Sequence, residues 1–210
     1  MNLTNISDLN NKTKFLLPLF FFSVLISFGQ IIRTSDNQYD IEINAARKLK
    51  KVQISTRIIV DSDKLKTIFI KVEMSSTSKE KKEFDVNKFI LLDTVNKLKI
   101  RPVDISYQNA TAYTGFEKLV KNPNSFDLKN SILKYDPSVP DSFENFNFDG
   151  FNTLEIPINF GNKNKPRPFI LYFKPQNFKS KKIVFFFPFP KSINSGILYY
   201  GNEKIATLTF

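Results

Sequence analysis

Apolar and polar side chains alternate with a period of two along most of this chain, and that pattern restricts it to a fold built from strands. Ile68, Ile70, Val72 and Met74 share one face, while Thr67, Lys71 and Glu73 share the other. Such alternation describes a strand with one buried face. Tyr39, Ile41 and Ile43 alternate with Asp40 and Glu42 in the same way, and residues 52–60 form a third β-branched run. Residues 89–92 are apolar on both faces, as expected of a central strand covered on two sides. Asp93, Thr94, Val95, Asn96 and Lys97 then read as a turn, with Asn96 taking the left-handed conformation. Strand pattern resumes over 98–101 and 103–107, interrupted at Pro102, a residue that belongs at an edge or bulge. It returns at 154–160, 169–173 and 183–187. The chain closes with 197–200, the pair Gly201-Asn202 and 204–210, a two-residue hairpin signal between two strand-like runs.

Between residues 108 and 152 the pattern weakens. Pro123, Pro137 and Pro140 punctuate a polar stretch, which reads as a long irregular insertion between strands. Only residues 116–120 and 128–133 offer a short helix. About ten strands, no long helix and no internal repeat give an all-β fold, a sandwich or a barrel.

The N-terminus reads as an export signal. Lys12 and Lys14 precede an apolar run over 15–28, followed by the small-x-small pattern Ser27-Phe28-Gly29, with Gln30 as the new first residue. The alternative is a retained anchor, since extending the run to Ile32 approaches the length of about 20 residues that spans a bilayer. Pro18, Gly29 and Gln30 weaken such a helix, so cleavage is the preferred reading, with no stable membrane span afterwards. Residues 30–210 then form one domain. Cysteine is absent, so neither a disulfide nor a lipid-modified cysteine is available, and the domain rests on its core alone. The expected location is outside the cytoplasm: periplasmic, cell-surface or secreted.

Two stretches resemble exported bacterial immunoglobulin-like domains. The first, over residues 68–107, combines an alternating strand, the Ser/Thr-rich turn at 75–78, Phe89-x-Leu91-x-Asp93, a tight turn and a strand reaching Arg101-Pro102. The second combines the turn at Pro175, the run Val184-Phe185-Phe186-Phe187-Pro188 and the final hairpin. Together they cover about half of the mature chain. Asn96 stands where the usual turn has glycine, and the 108–152 insertion is long. The resemblance implies an immunoglobulin-like antiparallel β-sandwich and an interaction role in the cell envelope, with no catalytic residues to carry over.

The formal net charge is +11, and 26 of the 31 basic residues are Lys. A phosphate-reading surface would favour the bidentate fork of Arg, so no nucleic-acid partner is expected. The clusters at 47–51, 79–82 and 179–182 flank apolar runs, where charge guards against aggregation.

Histidine is absent as well. Ser-His-Asp and Cys-His catalysis and imidazole or thiolate metal sites are thereby excluded. Three Ser-x-x-Lys pairs occur (Ser76/Lys79, Ser78/Lys81, Ser131/Lys134), about the number that chance gives, and none has the partner motifs of a Ser-Lys enzyme. Asn145-x-Asn147-x-Asp149-Gly150 imitates the start of a calcium loop, but Ile156 occupies the twelfth position, where a bidentate glutamate is needed. Phe143, Phe146, Phe148 and Phe151 form the densest aromatic cluster, read either as an exposed binding surface or as core packing, the latter preferred because Trp is absent and Phe abounds. The expectation is a non-enzymatic envelope interaction module without cofactor or metal, its partner an envelope protein or a glycan. A glycan-binding module is one alternative. A small outer-membrane β-barrel is another, suggested by the terminal Phe210 in phase with Leu208 and Ala206.

Overall fold

The computed structural model describes residues 29–49, 57–108, 113–121 and 133–210. The signal segment before Gly29, residues 52–56 of the third β-branched run and residues 128–132 of the second possible helix lie outside the described residues.

In chain order the strands are β1 (Ile31–Arg33), β2 (Tyr39–Lys48), β3 (Leu65–Ser76), β4 (Lys82–Phe84), β5 (Phe89–Asp93) and β6 (Leu98–Ile100). Next come β7 (Asp104–Gln108), β8 (Tyr113–Gly115), β9 (Lys118–Val120), β10 (Leu133–Lys134), β11 (Asn152–Leu154) and β12 (Ile158–Asn159). The last six are β13 (Pro168–Phe169), β14 (Leu171–Phe173), β15 (Gln176–Phe178), β16 (Ser180–Pro190), β17 (Ser195–Tyr200) and β18 (Glu203–Thr209). Among the described residues the helical elements are two 3-10 turns, Val86–Lys88 and Ser142–Asn145. The fold is all-β.

Two larger sheets carry the structure. One is six-stranded and antiparallel throughout, in the order β1-β2-β3-β16-β7-β8. The other is five-stranded, β11-β6-β5-β17-β18, with a parallel pair at its β11–β6 edge. Small sheets of two or three strands flank them.

The alternation explains the strand faces. Ile68, Ile70, Val72 and Met74 of β3 are fully buried, in one core cluster with Ile41 and Ile43 of β2, Phe89 and Leu91 of β5, and Leu198 of β17. That cluster draws on both larger sheets, and the rings of Phe89 and Phe185, 4.5 Å apart, meet across it. Residues 89–92, which read as apolar on both faces, fall in β5, and the all-apolar run 183–187 falls in β16; both strands occupy interior positions in their sheets. Phe185, Phe187 and Phe189 of β16 face the shared core. Val184 and Phe186 face outward, where Val103, Ile58, Val60 and Ile156 cover them. A strand covered on both sides has no polar face, so alternation vanishes where burial is deepest.

Pro102 has a topological consequence. The strand pattern either side of it belongs to different sheets, β6 to the five-stranded one and β7 to the six-stranded one. Proline lacks the N–H needed to continue the ladder, and the chain crosses there, with Val103 N donating to Phe186 O at 2.8 Å.

Several expectations are corrected in detail. Residues 116–120 are not helical: Lys118–Val120 is β9, paired with β14 and β10. A short apolar run without caps leaves this choice to long-range pairing. The 108–152 stretch carries β8, β9, β10 and a 3-10 turn. Residues 57–60 of the third β-branched run form no strand; Ile58 N and Val60 N donate instead to the side chains of Asp104 and Thr67. In the 93–97 turn the left-handed residue is Lys97 (φ 54°), not Asn96. Asp93 organises it, its carboxylate accepting from Val95 N, Asn96 N and Asn96 Nδ2. The terminal hairpin forms where expected, with Gly201 at φ 62° between β17 and β18.

Candidate functional site

The aromatic cluster sits on the outer face of the five-stranded sheet. The Ser142–Asn145 turn places Phe143, 1% exposed, against Ile90 and Leu92 of β5. Phe146, Phe148 and Phe151 pack round it half-buried, with Ile197 and Tyr199 of β17. Phe148 meets Tyr199 edge-on at 4.9 Å, and Phe146 lies over the hairpin at Gly201. All four phenylalanines are brought together. Phe143 is interior, so the cluster's solvent-facing part is the rim of the other three.

Two cations of β6 and its extension hold this layer down. Lys99, buried in the sheet's outer face, donates from Nζ to Phe143 O (3.3 Å) and Phe146 O (2.8 Å), and lies 4.3 Å from the Phe143 ring centre. Arg101 Cζ is 4.2 Å from the same ring centre. Burial pushes the Lys99 ammonium below its ordinary value, with Arg101 adding to the fall and Glu144, Glu155 and Asp141 opposing it.

Arg101 also centres an ion cluster. Its Nη2 bonds Asp141 Oδ2 at 2.8 Å, its Nη1 donates to Leu171 O at 3.1 Å, and its Nε lies 3.0 Å from Glu155 Oε1 without hydrogen-bond alignment. Lys121 pairs with Asp141 (3.2 Å), Glu155 (2.8 Å) and Glu144. Lys99, Arg101 and Lys121 thus balance Asp141, Glu144 and Glu155. Burial and Arg101 press the Lys121 value down, yet bonds to Glu144 and Glu155 and the charge of Asp141 outweigh them and raise it. The hydrogen bond from Lys121 lowers Glu144. Beside this cluster, the gap between Asn87, Arg101, Pro102, Phe143, Leu171 and Phe173 leaves no volume that a water could occupy. Asn87 closes it like a strand residue, donating to Phe173 O (2.6 Å) and accepting from Phe173 N (2.8 Å).

A second buried anion, Asp104, opens β7. It accepts from Ile58 N (2.9 Å) and Ile105 N (2.8 Å) and faces Lys118 Nζ at 3.2 Å and Arg57 at 4.0 Å. Buried charge is costly unless paired and hydrogen-bonded, and here it is both.

Asn145, which ends the Ser142–Asn145 turn, and Asn147 and Asp149 beyond it are exposed, and among the described residues no group of three acidic side chains is placed to hold a metal. Ser76 Oγ and Ser78 Oγ bond each other at 3.0 Å, and Ser131 lies outside the described residues. The sequence did not single out Lys99, Arg101 or Asp104 as buried charges. Their only signal was position, Lys99 and Arg101 falling inside an apolar strand pattern.

Comparisons with protein-family models, with curated proteins and with solved structures give no match for this chain.

Proposed function

We propose that this chain is an exported, non-catalytic interaction domain of a bacterial cell envelope, built as an immunoglobulin-like sandwich of its two larger sheets. The observation that carries the reading is the disposition of charge. Arg101 and Asp104, both buried, are held in ion pairs with Asp141 and with Lys118, and the gap beside Arg101 admits no water. A catalytic group needs an approach for substrate and a protonation state it can change; these groups have hydrogen-bonded partners instead. The core shared by both sheets supports the sandwich. Among the described residues each sheet has unpaired edges, β1 and β8 in one and β11 and β18 in the other, which weighs against a closed barrel.

Fractionation of a tagged chain in its native host tests this. The expected species is released without detergent and is shorter by about the signal length. A full-length species, or one that needs detergent, would replace the reading with an anchor or a barrel.

A further inference from the structure

Strand β18 is paired on one side only among the described residues. Phe210 N donates to Asn194 O at 2.8 Å, so the Phe210 backbone is turned toward β17. In an antiparallel ladder that direction alternates, which turns Leu208 and Ala206 toward β17 as well. Thr207 and Thr209 then point their N–H and C=O groups away from the sheet. Both threonines are exposed, while Leu208 between them is fully buried in the core. The other edge strands of the two larger sheets, β1, β8 and β11, are three residues long, against seven for β18. Edges that must stay single are blunted by shortness, charge or proline, yet residues 205–210 hold neither a charge nor a proline. The register shift opposite Leu198 and Tyr199 leaves Ile205 outside the ladder, so the regular edge runs from Ala206 to the Phe210 bond and its midpoint is Leu208.

Going beyond the interaction-domain reading, we infer that this edge is a docking surface for a second copy of the chain, its own β18 paired antiparallel with the first round a two-fold axis at Leu208. Free N–H and C=O groups along an extended backbone are satisfied by another extended backbone. Self-complementarity identifies that backbone as the same segment. The axis at Leu208 sets Thr207 opposite the second copy's Thr209, and Thr209 opposite its Thr207. Every outward group of the regular edge is then bonded, and threonines facing across an antiparallel pair favour it. Leu208 meets its counterpart on the inner face, so the two cores adjoin. An axis at Thr207 would instead set Thr209 against the irregular Ile205. Charge is compatible with this register. Glu203 and Lys204 fall beyond the paired segment, and Ser35 N bonds Glu203 Oε1, which places Asp36 and the Arg33–Asp40 pair at that outer end. The outer ends of the two copies lie roughly 30 Å apart along the strands, several screening lengths at physiological salt.

Sedimentation velocity of the chain, purified as the host produces it, across a wide concentration range in physiological salt is the test. The wild-type mass should rise from that of one chain toward twice that value. Thr207→Lys with Thr209→Lys opposes ammonium groups in both cross-strand pairs and should weaken association about tenfold or more. Thr207→Lys with Thr209→Glu opposes unlike charges in the same pairs and should associate within a few-fold of wild type. Asn152→Lys with Asn164→Lys adds the same charge at exposed positions on the far edge and in a distant loop, and should likewise change association no more than a few-fold. A wild-type chain that stays monomeric throughout would overturn the inference. So would undiminished association of the first variant, or equal losses in the first and second, since only the Leu208 axis sets position 207 against position 209. Unchanged thermal unfolding of all three variants shows that the fold is intact. None of these results bears on export, which fractionation decides separately.

Discussion

Phe143→Ala separates a packing role for the aromatic cluster from a platform role. Phe143 is 1% exposed against Ile90 and Leu92, with Lys99 and Arg101 within 4.3 Å of its ring centre. Truncating a buried Phe to Ala costs about 3–5 kcal/mol in lost transfer energy and cavity. Removing the ring from two partly desolvated cations adds roughly 0.5–1 kcal/mol, while Lys99 keeps its two carbonyl acceptors. A loss of about 4 kcal/mol follows, or a fall in Tm of roughly 8–16 °C for a domain of this size. Phe148→Ala, from a half-buried position, should cost about half as much. Urea denaturation of both variants beside wild type is the assay. Equal effects, or a loss below about 1.5 kcal/mol for Phe143→Ala, would refute the argument that this ring is an interior wedge.

Asp104→Asn should destabilise by about 3 kcal/mol in the same assay, because the Lys118 ammonium is left buried without its carboxylate; a loss under about 1 kcal/mol would mean that the pair carries little weight. Glu144 is held below its ordinary value of 4.5 by the Lys121 hydrogen bond, so its contribution is present above pH 4.5 and disappears as pH falls through the folded-state value. Glu144→Gln should therefore flatten the acid limb of stability below pH 4.5, by less than about 1 kcal/mol because the carboxylate is half exposed; an unchanged acid limb would remove Glu144 from the cluster's energetics. Gly201→Ala should cost roughly 1.5–3 kcal/mol. The new Cβ would take a left-handed backbone, 3.0 Å from Phe146 Cε1, and thermal unfolding with near-ultraviolet circular dichroism would report the disturbed aromatic layer.

By itself the sequence determined the strand content and the face that most strands bury. Ile68, Ile70, Val72 and Met74 are buried where alternation placed them, and Gly201-Asn202 turns the terminal hairpin. These features are local: a two-residue period or a left-handed glycine acts within a few residues of itself. Partnership was decided only by the tertiary structure. Pairing β16 with β3 joins segments more than a hundred residues apart. Residues 118–120 became a strand because β14 offered a ladder, against a local pattern that allowed a helix. Lys99, Arg101 and Asp104 look like surface charges in sequence. Their burial depends on compensating groups brought from residues 57–58, 118–155 and 171, and no local pattern records a partner that arrives only through folding.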